Sequence, residues 1–345
     1  MSRVLVLYAG GTVGCAGVPL APMAGADFAA LLAGRGWLGP DDRFEALATP
    51  LDSASMQPAD WLRIAGLLLE HWSDFDAFIV LHGTDTLAWT AAALSYLLAG
   101  QDKPVVLTGS QRPLVAEDSD AARNVADAIR VARSGRLHEV AVCFAGRILR
   151  GNRCSKRSAQ QDDAFHSPRW RQLGAVYADT IDWQTGAGLP APSTAFDPVR
   201  QQALLARIAA GAADVRVAML TLHPGMPAEL LHAVAQLPQA RKGCVLQCFG
   251  AGNAPEEPAF VAALQDLAAA SVAMLAITQA PHGEVRHSPY QSATALQAAG
   301  VVEGGDLGPE AAHAKLWLAL ALALQGAALR TYLTTDLAGE LTGTD

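Results

Sequence analysis

Short apolar runs alternate along the chain with longer stretches whose apolar positions recur at helical spacing. Val4–Tyr8, Phe78–Leu81, Val105–Thr108, Val140–Phe144, Val217–Leu222, Val245–Phe249 and Val272–Ile277 are nearly unbroken by polar residues. Runs of this kind suit strands buried on both faces. After Pro58, which fits a first helical position, Trp61, Ile64, Leu68 and Trp72 fall on one helical stripe. Leu87–Ala99 stops at Gly100, and a helix capped near Ser119 and Asp120 stops at Gly135. The alternation predicts an α/β fold built on a doubly wound, mostly parallel sheet. Between Thr185 and Pro198 the periodicity lapses among Gly186, Gly188, Pro190 and Pro192, a linker signal. A helical stretch at Gln201–Ala210 and a strand from Val215 follow. The expected organisation is a larger N-terminal α/β domain over 1–185, a linker over 186–213 and a smaller C-terminal α/β domain over 214–345.

The 345 residues are enough for two domains with cores of their own. With 25 basic and 33 acidic residues the net charge is −8, which leaves no broad basic face for a nucleic acid. The apolar run Leu316–Leu324 is closed by Gln325 and Gly326, short of the ~20 residues a membrane span needs. No apolar stretch of signal-peptide length stands near the N-terminus, so a cytoplasmic protein is expected. Cys15, Cys143, Cys154, Cys244 and Cys248 form an odd set without a C-x-x-C pair. Reduced packing thiols are the simplest reading. Charged residues make up only 17% of the chain and apolar ones 51%, against about 25% charged in an ordinary domain. That balance points to large buried faces of the kind found in subunit contacts.

In open α/β sheets ligands bind beyond the carboxyl ends of the strands. The first strand is followed by Ala9-Gly10-Gly11-Thr12-Val13-Gly14, which lacks dinucleotide-binding spacing. Its two glycines permit close backbone approach and leave Thr12 at the strand tip, either as a turn cap or as a nucleophile. The second strand ends in His82-Gly83-Thr84-Asp85-Thr86, and a helix starts at Leu87. Two hydroxyls and a carboxylate at one helix start exceed what an N-cap needs. His82 reads more simply as a hydrogen-bonded packing residue than as a base. After the fourth strand comes Arg150-Gly151-Asn152-Arg153-Cys154-Ser155-Lys156, whose lysine is either a solvated charge or a base among hydroxyls. Leu51-Asp52-Ser53-Ala54-Ser55-Met56 is a further polar loop, read alone as a capping segment.

Together these segments resemble one family, the bacterial-type L-asparaginases, and within it the cytoplasmic type I branch. The resemblance rests on Y-x-G-G-T-x-G at Tyr8–Gly14, D-S-x-S-M at Asp52–Met56, H-G-T-D-T at His82–Thr86 and T-G-S-Q at Thr108–Gln111. It continues with R-G-N-R-x-x-K at Arg150–Lys156, D-A-F-x-S-P at Asp163–Pro168 and G-x-G-N-A-P at Gly250–Pro255. It implies hydrolysis of the side-chain amide of L-asparagine, with minor action on glutamine in some members, and no metal or organic cofactor. Thr12 would be the nucleophile, forming a β-aspartyl ester that water cleaves. Thr84, Asp85 and Lys156 would form the proton-transfer group, with the carboxylate holding the lysine. Asp85 would also meet the substrate ammonium and Ser53 its carboxylate, Asp52 shaping that loop. Backbone N–H groups near Thr12 and Thr84 are natural oxyanion donors. The resemblance further implies a homodimer or homotetramer whose active site is completed across subunits, with Asn253 as the cross-subunit contributor. Tyr290 lies in a further matching loop with no role assigned.

Two departures stand out. No tyrosine occurs between Thr12 and Ser53, although the family carries one in the loop after the nucleophile. Leu20 stands at its expected place, so an apolar lid and greater reliance on Thr84 and Lys156 are expected. The cysteine and arginine of the allosteric site found in some type I enzymes are replaced by Ala280 and Gln247, which predicts little cooperativity. Two alternative readings remain at this stage. One is an asparaginase-like amidotransferase subunit, disfavoured by the acidic charge. The other is a binding protein whose turnover has declined without the tyrosine.

Overall fold

A computed structural model describes residues 2–286 and 294–343. The chain divides into two compact units, Met1–Leu205 and Ala206–Asp345. In the first, β1 (Val4–Gly10) leads through a 3-10 turn at Thr12–Gly14 into a small hairpin, β2 (Cys15–Ala16) and β3 (Ala21–Pro22). Then follow α1 (Gly25–Gly34), β4 (Arg43–Leu51), α2 (Pro58–Glu70), β5 (Ala77–Leu81) and α3 (Leu87–Leu97). The chain continues with β6 (Val105–Thr108), α4 (Ala121–Arg133), β7 (Val140–Phe144) and β8 (Arg147–Arg150). A short pair, β9 (Ser155–Lys156) and β10 (Phe165–His166), precedes the hairpin of β11 (Gly174–Tyr177) and β12 (Thr180–Trp183).

The main sheet has the order β12-β11-β8-β7-β6-β5-β1-β4. Its β4, β1, β5, β6 and β7 strands are parallel, whereas β8, β11 and β12 add antiparallel pairs at one edge. Every residue of β1, β5, β6 and β7 is buried, which is why these strands read as continuous apolar runs. The mostly parallel α/β sheet is as expected. The pattern did not disclose β4, whose residues are mainly part-buried and which ends beside Pro50. An edge strand covered on one side needs no unbroken apolar run. Helix α2 starts as anticipated, with Pro58 in its first turn and the Gln57 N–H donating to Asp60 Oδ2 at 2.9 Å.

Residues 198–212 of the expected linker form α5 (Pro198–Ala212), and the two compact units divide within it. The second unit holds β13 (Val215–Thr221), α6 (Glu229–Ala235), β14 (Arg241–Cys248), α7 (Pro258–Ala269) and β15 (Ala273–Thr278). It ends with α8 (Thr294–Ala298), β16 (Val302–Glu303), α9 (Pro309–Ala321) and α10 (Gly326–Thr334). Its sheet is parallel throughout, in the order β13-β14-β15-β16. Leu246, Phe260, Leu264 and Leu267 are central to its core. A wholly buried ion pair, Lys315–Glu340, ties the segment after α10 to α9. Glu340 also accepts from the Leu337 and Ala338 N–H groups, which satisfies the charge that burial would otherwise leave uncompensated. Among the described residues no helix is long and apolar enough to cross a membrane.

Candidate active site

The site is assembled at the carboxyl ends of β1 and β5, which lie side by side with Tyr8 opposite Leu81. At the end of β1 and just past it the backbone takes φ values that favour glycine, +129° at Gly10 and +90° at Gly11. Contact imposes the same choice. A Cβ on Gly10 would stand 2.0 Å from the Leu51 carbonyl oxygen, and one on Gly11 would stand 2.3 Å from the Gly83 Cα. A Cβ on Gly83 would in turn lie 2.5 Å from Ser53 Oγ. The Gly11 backbone and the Ser53 side chain are therefore both packed against Gly83, which draws together the turns carrying Thr12, Ser53 and Thr84. Thr12 is half-buried, Ser53 and Thr84 are buried, and Asp85 opens to solvent.

Lys156 Nζ donates to Thr84 Oγ1 at 2.8 Å and to Asp85 Oδ1 at 2.7 Å. The run from Gly151 delivers it. A Cβ on Gly151 would stand 2.9 Å from Ser95 Oγ, near the C-terminal end of α3. Gly151–Arg153 form a 3-10 turn, and β9 (Ser155–Lys156) then carries the lysine to the residues before the start of that helix. Behind this run the Arg150 guanidinium is buried against Glu139 at 2.6 Å, donates to the Ala187 carbonyl and lies over the Trp170 ring. The D-A-F segment supports it from the other side. Asp163 pairs with Arg147 and Arg157, while Phe165, opposite Lys156 in the β9–β10 pair, packs on Phe144.

The surplus of polar groups before α3 has separate uses. Thr84 faces Lys156 and Asp85 pairs with it, while Thr86 Oγ1 donates to the Ser53 carbonyl at 2.8 Å. None of the three caps the helix by a side-chain bond. His82 is wholly buried, its Nδ1 2.8 Å from the Gly83 carbonyl and its Nε2 2.9 Å from Thr90 Oγ1. A carbonyl only accepts, so Nδ1 carries the proton and Nε2 accepts from the hydroxyl. Burial lowers its pKa to about 4, leaving a neutral imidazole that fixes the turn. Asp52 Oδ1 accepts from the Ala54 N–H and shapes the loop of Ser53.

Gln111 was not singled out by sequence reasoning, although T-G-S-Q carried it. Thr84 Oγ1 donates to Gln111 Oε1 at 3.3 Å, and Gln111 Nε2 donates to the Gln161 carbonyl. Glutamine has no spacing signature, and only the fold brings it to Thr84. Leu20 and Val18 are exposed on the β2–β3 hairpin. Asn253 belongs to the second unit, in a turn closed by two backbone bonds with Phe249. In that unit Gln247 Oε1 accepts from Thr221 Oγ1, and the Ala280 N–H donates to Thr278 Oγ1. Tyr290 lies outside the described residues. Among the described residues no group of three or more His, Cys, Asp or Glu is placed to hold a metal ion.

Comparison with known proteins adds the decisive observation. Residues 3–188 match the family model "Asparaginase, N-terminal", and residues 216–333 match "Glutaminase/Asparaginase C-terminal domain". The chain belongs to the asparaginase family. It is a hydrolase of the asparaginase class. L-asparaginase 1 of Escherichia coli K12 is 33% identical over 312 residues, which are 89% of this chain and 86% of that protein. L-asparaginase I of Vibrio cholerae superposes with a TM-score of 0.84 at 31% identity, covering 99% of each chain. The thermostable L-asparaginase of Thermococcus kodakarensis gives 0.83 at 30% identity, over 99% of this chain and all of that one. The expected kinship with type I asparaginases is thus met.

Proposed function

We propose that the protein hydrolyses the side-chain amide of L-asparagine to L-aspartate and ammonia, with Thr12 as nucleophile. The observation that carries the reading is Lys156 held between Thr84 Oγ1 and Asp85 Oδ1 beside the turn that bears Thr12. Thr12 Oγ attacks the amide carbon, and its proton passes through the Thr84–Lys156 pair to the departing nitrogen, releasing ammonia and leaving a β-aspartyl ester. Water then cleaves the ester, its proton returning to Thr12 by the same groups. Asp85 holds Lys156 and meets the substrate ammonium, while Ser53, shaped by Asp52, meets the α-carboxylate. Glutamine is a minor substrate.

In this reading the enzyme is cytoplasmic and uses no cofactor. It works as a homodimer or homotetramer in which Asn253 of one subunit completes the site of another, with residues 186–213 linking domains over 1–185 and 214–345. Relatives named L-asparaginase support the substrate. The test is ammonia release from L-asparagine, L-glutamine and D-asparagine by the wild type, Thr12→Ala and Lys156→Met. L-Asparagine turnover by the wild type, lost in both variants, supports the reading. Full activity in Thr12→Ala removes the nucleophile assignment.

A further inference from the structure

We infer that the Tyr8 hydroxyl is a positioning group for the reaction, anchoring the Gly11 carbonyl beneath the turn and so aiming the Thr12 N–H at the developing oxyanion. The inference deepens the reading above and rests on Thr12 as nucleophile. Tyr8 opens the Y-x-G-G-T-x-G segment, yet the proposed chemistry uses only the threonine. The side chain is wholly buried, its ring packed on Phe28 with centroids 4.7 Å apart. Its hydroxyl donates to the Gly11 carbonyl oxygen at 3.3 Å. Gly14 makes room for it, since a Cβ there would lie 2.4 Å from the Tyr8 hydroxyl oxygen. The first and last residues of the motif are therefore one contact, a phenol seated where a side chain is missing.

The Gly11 carbonyl receives two further donors, the Gly14 N–H at 3.2 Å and the Cys15 thiol at 3.4 Å. In a trans peptide the C=O and the following N–H point in opposite directions. Fixing the Gly11 carbonyl toward the phenol fixes the Thr12 N–H away from it. Among the described residues that N–H donates to no acceptor, as an oxyanion donor awaiting substrate requires. Gly11, at φ +90° and ψ 171°, has the freedom to turn this peptide over, and the buried donors select one orientation. Burial also raises the phenol pKa, so Tyr8 keeps its proton.

The test is Tyr8→Phe, which keeps the ring and removes the donor. With L-asparagine we expect kcat to fall at least tenfold, KM to stay within twofold, and the thermal midpoint to stay within a few degrees. Loss of a whole oxyanion donor costs about 10²–10³ in kcat, and misaiming one costs less. Gly14→Ala displaces the phenol from the other side of the same contact. Its loss in kcat should combine with that of Tyr8→Phe less than additively. Unchanged kcat in folded Tyr8→Phe, a rise in KM alone, or fully additive losses would overturn the inference. If Tyr8→Phe does not fold, the kcat and KM of Gly14→Ala decide, and wild-type kcat there overturns it. Activity retained by Thr12→Ala would instead overturn the nucleophile assignment, so the two failures are distinguishable.

Discussion

Gly83 is the residue on which the site converges, because the Gly11 backbone and the Ser53 side chain both occupy the space a Cβ would need. Gly83→Ala should therefore displace Ser53 and weaken the hold on the substrate carboxylate that is proposed for it. The expected outcome is a KM for L-asparagine raised at least tenfold, measured by steady-state ammonia release, and an unchanged KM would contradict it. His82 beside it reports on pH. Its pKa is lowered to about 4 from an ordinary 6.5, so between those values the unfolded chain binds a proton that the folded chain refuses. The stabilisation is complete above pH 6.5 and falls as pH drops toward 4, by roughly 3 kcal/mol in all at 1.36 kcal/mol per pKa unit. His82→Gln should flatten that part of the stability–pH curve in urea titrations.

At the scale of elements, the run from β8 to β9 is as consequential as the strand tips. The Arg150–Glu139 pair is buried, with both side chains about 4% exposed or less, and it anchors the beginning of the stretch that ends in Lys156. Glu139→Ala leaves an uncompensated buried guanidinium, a loss of about 3–5 kcal/mol. The urea midpoint measures it, and a change below 1 kcal/mol would show the pair to be dispensable. The β2–β3 hairpin offers the opposite case, since Leu20 is exposed and nothing is packed away by replacing it. Leu20→Tyr should leave stability within about 0.5 kcal/mol and raise turnover only modestly. An increase of several orders of magnitude would mean that L-asparagine is not the natural substrate.

For the whole molecule, acid sensitivity is spread over both units. His313, in the second, is also lowered to about 4 by burial, so both units lose stability in the same window below pH 6.5. A replacement at His82 alone should leave part of the acid slope in place. The balance of 51% apolar and 17% charged residues agrees with extensive burial between subunits in the proposed oligomer, which sedimentation can measure. With Gln247 bonded to Thr221 and Ala280 in place of the expected cysteine, rate curves against L-asparagine should be hyperbolic. Clear sigmoidality would contradict that.

The sequence alone determined the α/β class, the buried strands and the motif residues, because burial on both faces and glycine-bound turns impose local patterns that survive in one dimension. Thr12, Thr84, Asp85 and Lys156 stood out as candidates through those motifs, and their roles came from the family resemblance. The edge strand β4 was not legible, because it is mostly part-buried. The internal strand β14 was legible only from Val245, because it begins at the polar Arg241 and Lys242, whose side chains reach the Leu320 and Ala235 carbonyls. Only the tertiary structure decided that Gln111 meets Thr84, that Lys156 reaches Asp85, and that Tyr8 occupies the space left by Gly14. These are relations between segments distant in sequence or folded back on one another. Their physical basis is close packing, which assigns each side chain a place only once its neighbours have theirs.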